Sequence, residues 1–202
     1  MSAKVALYFD YRSPFSYLVK EDAYALARDF DVELTWLPFT IDLEGAYGGT
    51  VEQRTERDWR KVRYSYMDAR RIGARRNLII RGTRKIYDPT IAHVGMLLAF
   101  RTSDTVFRRY HDAFCERFWR GELEIEDAET IRQLVVEAGA EVSTFDESVA
   151  SGEGARQCRA IAADAEQRGV FGVPTFLLEE TGELFWGTDR VWLLRERLAA
   201  NT

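Results

Sequence analysis

The sequence predicts an α/β fold interrupted by a large all-helical insertion. Three observations carry that prediction. The chain opens with strand, helix and strand patterns. It closes with helix, strand, strand and helix patterns. The long stretch between repeats helical spacing without a convincing strand. The α/β part is accordingly placed at 1–50 and 152–202, and the helical insertion at 51–151.

Val5 to Phe9 is a short apolar run that Asp10 ends, as a buried strand would. Ser13 then has the side chain of a good helix N-cap, and Pro14 suits the first helical position, where its missing N–H would be unpaired anyway. Phe15, Leu18, Tyr24, Leu26 and Ala27 give the helix a mainly apolar surface. Val32 to Leu37 alternates polar and apolar residues before Pro38, the mark of a half-buried strand. A parallel strand pair joined by a crossover helix follows from this order.

Gly45 to Thr50 reads as a flexible entry to the helical region. Trp59, Val62, Tyr66, Ala69 and Ile72 then recur at helical spacing. Asp88-Pro89 reads as an N-cap and first-turn proline, leading into Ile91 to Phe100, a helix apolar almost all round and therefore buried. Val106, Phe107, Tyr110, Phe114 and Phe118 mark another helix. Ile131, Leu134, Val135 and Ala138 mark one that ends at Gly139.

Cys158, Ile161 and Ala165 lie on a helix closed by Gly169. Val173 to Leu178 and Glu183 to Trp186 flank a turn containing Gly182 and read as a β-hairpin. Asp189 opens a last helix through Leu193, Leu194 and Leu198.

The bulk properties narrow the function classes. A net charge of -5 gives no reason to expect nucleic-acid binding, and there is no apolar run of about 18 residues to span a membrane. The N-terminus reads as a strand rather than a signal peptide, so the expected compartment is the cytoplasm. Cys115 and Cys158 are the only cysteines, in no C-x-x-C or zinc-ligand spacing, and are expected to be buried free thiols. No metal site is expected.

Three local motifs add a resemblance. They are Tyr8-Phe9-Asp10-Tyr11-Arg12-Ser13-Pro14-Phe15-Ser16-Tyr17-Leu18, Gly169-Val170-Phe171-Gly172-Val173-Pro174-Thr175-Phe176, and Phe185-Trp186-Gly187-Thr188-Asp189-Arg190. In this order the chain resembles the DsbA-like superfamily, whose fold is a thioredoxin fold with a large all-helical insertion. Within it, the chain is similar to the branch of 2-hydroxychromene-2-carboxylate isomerases and kappa-class glutathione transferases. Lys61, Tyr64 and Asp68 match the helix in which that branch carries a cofactor-contacting lysine. The resemblance implies glutathione as cofactor, a cis peptide before Pro174, and a homodimer. It places Ser13 beside the glutathione sulfur, pairs the Val173 backbone with the peptide, and brings Thr188 and Asp189 to the γ-glutamyl end. The branch's asparagine after the second strand has no clear counterpart, because Gly48-Gly49-Thr50 occupies that region.

The chemistry follows from where Ser13 stands. A thiol is mostly protonated at neutral pH, and only its thiolate is strongly nucleophilic. A helix N-terminus offers partial positive charge and free N–H groups, and a serine hydroxyl adds one donor. Ser13 is therefore expected to stabilise a bound cofactor's thiolate rather than to attack substrate. A serine nucleophile needs an adjacent base, and the only histidines, His93 and His111, lie in the insertion. His93 is expected to be a hydrogen-bonded core residue. Phe15, Tyr47 and Tyr64, with Trp36 and Phe39, are candidate walls for a small, aromatic substrate. Twelve of the 28 basic residues fall between Arg54 and Lys85, a run expected to face solvent, with Lys61 the member placed at the cofactor. The leading expectation is a glutathione-dependent isomerase of an aromatic-catabolism intermediate. A glutathione transferase and a redox-inactive peptide-binding protein are the alternatives, and another low-molecular-weight thiol is the alternative to glutathione as cofactor.

Overall fold

A computed structural model describes residues 2–200. Among them, four strands form one sheet in the order β2-β1-β3-β4. β1 (Ala3–Phe9) runs parallel to β2 (Val32–Pro38), with Leu7 opposite Trp36 and Phe9 opposite Pro38. The crossover between them is α1 (Pro14–Asp29). β3 (Thr175–Leu178) lies antiparallel to β1, with Thr175 opposite Tyr8, and β4 (Glu183–Trp186) lies antiparallel to β3.

Both faces of the sheet are covered, which is why β1 is continuously apolar from Val5 to Phe9 rather than alternating. Val5, Leu7 and Phe9 join the principal core, while Ala6 and Tyr8 point into a smaller one with Val170 and Leu177. The helices between β2 and β3 are α2 (Leu43–Ala46), α3 (Glu56–Arg75), α4 (Thr90–Thr102), α5 (Asp104–Trp119), α6 (Ala128–Ala138), α7 (Val142–Ala150) and α8 (Glu153–Gln167). α9 (Val191–Ala200) closes the chain. The principal core is shared between the two parts: Trp36 of β2 meets Phe107 of α5 with ring centroids 5.1 Å apart.

α4 is buried on nearly every side, as its apolar composition demands. Two glycines let its neighbours close in. A Cβ on Gly95 would stand 2.4 Å from the Tyr110 hydroxyl oxygen, and one on Gly154 of α8 would stand 2.6 Å from a Val94 methyl. No helix among the described residues is long and apolar enough to cross a membrane.

Three local expectations need correction. Pro89, not Asp88, occupies the cap position of α4, although the Asp88 carboxylate still accepts the Thr90 N–H at 2.9 Å. Asp189 does not open the last helix. It sits in the 3-10 turn Thr188–Arg190, and its carboxylate takes the Arg190 guanidinium at 2.5 Å, so α9 begins two residues later. The segment read as a flexible entry is partly ordered: α2 includes Gly45 and is capped by Asp42, whose carboxylate accepts the Gly45 N–H.

Candidate functional site

The strand register decides where the motif residues meet. Phe9 and Pro38 end β1 and β2 side by side, Thr175 begins β3 opposite Tyr8, and Trp186 ends β4 opposite Thr175. The segment Asp10–Ser13, the turn at Thr40 and Ile41, the Val173–Pro174 peptide and the Gly187–Asp189 turn therefore leave from one end of the sheet. This is the end at which the parallel strands finish, where open α/β sheets place their ligands.

Ser13 caps α1. Its Oγ accepts the Ser16 N–H at 3.2 Å. Serving as acceptor leaves its own O–H free, and among the described residues that hydrogen has no acceptor. Ser13 retains 6% of its surface, whereas Ser16 has none and its Oγ is an orphan inside the core. Only the first serine of the pair can present a donor outward.

A buried ion pair holds the turn that carries Ser13. Arg12 reaches back to Asp10 through Nε and Nη2, the shortest contact being 2.7 Å, and both side chains are almost completely buried. Arg12 also donates to the Tyr87 carbonyl at 3.0 Å and to the Ile41 carbonyl at 2.9 Å, while Ile41 N–H returns a bond to Asp10. Three chain segments are thus knotted behind Ser13. Burial opposes the charge on Asp10, but the Arg12 guanidinium, helped by the Ile41 N–H, outweighs it and holds the carboxyl below its usual range.

His93 stands beside this pair, its Nε2 3.9 Å from Asp10. It is fully buried as expected of a core residue, yet only half bonded. Nδ1 meets the Thr40 hydroxyl at 3.4 Å and Nε2 has no partner. Burial pushes its pKa down to about 4 against the pull of Asp10, so the imidazole is neutral at neutral pH. His111 is engaged elsewhere, its Nδ1 3.0 Å from the Tyr11 hydroxyl, and burial drives its pKa well down too. Neither histidine is hydrogen-bonded to Ser13.

On the other strand pair, the Val173–Pro174 peptide is cis, and both residues are buried. Gly187 N–H bonds to the Pro174 carbonyl at 2.8 Å, which ties the Thr188–Asp189 turn to the same loop. Thr188 is half-buried. Asp189 is exposed, its carboxylate facing solvent beside Arg190. Phe171 and Trp186 flank this loop as exposed rings 4.9 Å apart.

The remaining candidates are spread out. Phe15 is half-buried on the first turn of α1. Tyr47 is half-buried under the Arg54 guanidinium, which also covers Trp59. Gly48 abuts Asp58, whose carboxylate lies 3.7 Å from Lys61 Nζ, so the loop after α2 and Lys61 both lean on one acid. Tyr64 is exposed on α3, and among the described residues no hydrogen bond or ion pair joins it or Lys61 to Ser13.

The chain matches the DsbA-like thioredoxin domain over residues 4–199. It belongs to that family. A 2-hydroxychromene-2-carboxylate isomerase from Sphingobium xenophagum is 26% identical over 200 residues, covering 98% of this chain and 99% of the relative. One from Pseudomonas putida is 27% identical over 197 residues, covering 96% and 93%. Among solved structures, a 2-hydroxychromene-2-carboxylate isomerase superposes with a TM-score of 0.78 at 24% identity, covering 98% of this chain and 95% of that one. A probable DsbA oxidoreductase from Streptomyces coelicolor gives 0.75 at 22% identity, covering 98% and 89%.

This DsbA-like chain has no thiol of its own at the head of α1, because Ser13 and Ser16 bracket Pro14-Phe15 there. Its free cysteines are buried in α5 and α8. Burial raises the Cys158 thiol to about 11 and the Cys115 thiol higher still, so neither supplies a thiolate at neutral pH. Sequence reasoning missed Asp10 and Arg12. The available signal was an acid ending a wholly apolar strand with an arginine two residues on, a charge that must find a partner once buried.

Proposed function

We propose that this protein is a glutathione-dependent isomerase acting on 2-hydroxychromene-2-carboxylate or a closely similar aromatic-catabolism intermediate. The observation that carries the reading is Ser13. It stands at the N-terminus of α1 with its Oγ engaged as an acceptor and its O–H undonated. That arrangement fits an anion, and the first turn of α1 adds its own positive end. The curated relatives that match nearly the whole chain support the reaction class.

Bound glutathione would supply the nucleophile, a thiolate that adds reversibly to a conjugated double bond and permits rotation about it. The chain's own residues do the rest. Ser13 donates a hydrogen bond to the sulfur and lowers its proton affinity. The Val173 backbone pairs with the peptide as an added strand would, and Thr188 and Asp189 meet the γ-glutamyl end. Lys61 approaches a carboxylate of the cofactor, exchanging its contact with Asp58. Phe15, Tyr47 and Tyr64 border the space for a flat substrate. No proton acceptor is needed on Ser13, which agrees with the neutral histidines turned elsewhere.

An assay of 2-hydroxychromene-2-carboxylate conversion with and without glutathione tests the proposal. Conversion that saturates with glutathione and consumes none of it is expected. A stable glutathione conjugate would assign a transferase instead, and equal rates without any thiol would overturn the reading.

A further inference from the structure

The basic run from Arg54 to Lys85 has uses that the Ser13 site does not explain. Several members are spent within the fold. Arg54 covers Tyr47 and Trp59, Arg63 pairs with Glu56, Arg70 donates to the Ile80 carbonyl, and Arg76 binds Asp22 and the Leu18 carbonyl. Arg57, Arg60, Arg71 and Arg75 are exposed without an ion pair among the described residues, and Arg81 and Arg84 share that state but also line a cleft.

These two arginines stand on one wall of a cleft of about 340 Å³, a volume within the roughly 300–1,000 Å³ range of small-ligand sites. The turn that follows α5 lines it too. The cleft has an aromatic base, where Tyr87 and Phe118 meet edge to face with centroids 5.6 Å apart, and Leu123 adds a buried apolar side chain. Gly121, at φ 74° in that turn, leaves open space where a Cβ would stand.

Charge on the rim is unevenly satisfied. Arg120 is taken by Glu116 at 2.7 Å, and Glu124 lies 3.9 Å from Lys85. Arg81 and Arg84 are left against the single unpaired carboxylate of Glu122. Tyr87 touches the Ser13 end of the sheet through its carbonyl, which accepts from Arg12, whereas Arg81, Arg84 and the turn after α5 belong to none of the loops gathered there.

We infer that this cleft is a second binding site, separate from Ser13, for a small aromatic carboxylate. A flat ring fits the Tyr87–Phe118–Leu123 base, and the carboxylate meets the Arg81 and Arg84 guanidiniums. An inorganic anion would use the arginines but leave the apolar base unfilled. A neutral arene would do the reverse.

Titration of the full chain with salicylate, followed through backbone amide NMR shifts, tests the inference. Saturable shifts centred on Gly82 and Gly121 are expected. The R81Q/R84Q variant should bind about tenfold or more weakly, as expected when charge-assisted bonds are lost. Both side chains are exposed, so the variant should fold. Independently of any variant, salicyl alcohol should bind the unaltered protein at least about tenfold more weakly than salicylate. S13A should bind salicylate as the parent does. No saturation, equal binding of the alcohol, unchanged affinity in R81Q/R84Q, or displacement by glutathione would each overturn the site.

Discussion

Arg12 has four hydrogen-bonding tasks and almost no solvent to replace any of them. Replacing it with methionine would leave Asp10 charged, buried and short of partners, so R12M should cost about 3 kcal/mol or more. Urea unfolding would read this as a lower midpoint. Replacing both Asp10 and Arg12 with apolar residues should cost less than R12M alone, because no orphan charge remains. His93 adds a pH dependence of definite sign. Its native pKa of about 4 lies below the unfolded value near 6.5, so the unfolded chain takes up a proton that the native one refuses. Stability should be level above about pH 6.5 and fall by about 3 kcal/mol between there and pH 4. His111, also depressed, acts in the same direction, and Asp10 extends the loss to lower pH. Unfolding midpoints across a pH series would check this, and a protein that became more stable on acidification would contradict it. Residues of this kind are barely legible in a sequence, since Asp10, Arg12, Ile41, Tyr87 and His93 meet only once the fold is made.

At the scale of elements, the α4–α5 contact makes a prediction that runs against helix propensity. Alanine is about 1 kcal/mol better than glycine inside a helix. Gly95, however, faces the Tyr110 ring, and the Tyr110 hydroxyl is fixed by its bond to the Ala92 carbonyl at 2.9 Å. Overpacking of this sort costs about 1–3 kcal/mol, so G95A should destabilise the protein despite the better propensity. Calorimetric melting would show a lower Tm; a raised one would mean that the helices move apart freely. The elements themselves were readable where a local rule governs them. The apolar run of β1, the Ser13-Pro14 start of α1 and the unbroken apolar surface of α4 all carry their own signal. The rule misled at Asp88 and Asp189. An acid before a helix can cap it, but a carboxylate can equally accept an N–H from just outside the cap position, as Asp88 does from Thr90, or hold a neighbouring arginine, and composition does not distinguish these.

For the molecule as a whole, the parallel β1–β2 pair and the β3–β4 hairpin were legible in the order of the elements, whereas the β1–β3 pairing that joins them was not, and the roles of Ser13, Val173, Pro174, Thr188 and Asp189 came from the family resemblance. Tyr64 and Lys61, placed by a helical motif alone, are both exposed on α3. A motif fixes position along an element, whereas proximity between elements depends on packing. The family resemblance also implies a homodimer, so light scattering is expected to give twice the 23.3 kDa chain mass; a monomer across the concentration range would dismiss it. The central claim is that Ser13 stabilises a borrowed thiolate, and the most direct test is the thiolate absorbance of bound glutathione titrated against pH. Bound to the unaltered protein, the thiol should ionise well below its free value of about 8.5. In S13A that pKa should rise by about one to two units, the equivalent of one charge-assisted hydrogen bond. The same titration curve in both proteins, or no ionisation below the free value, would contradict the account.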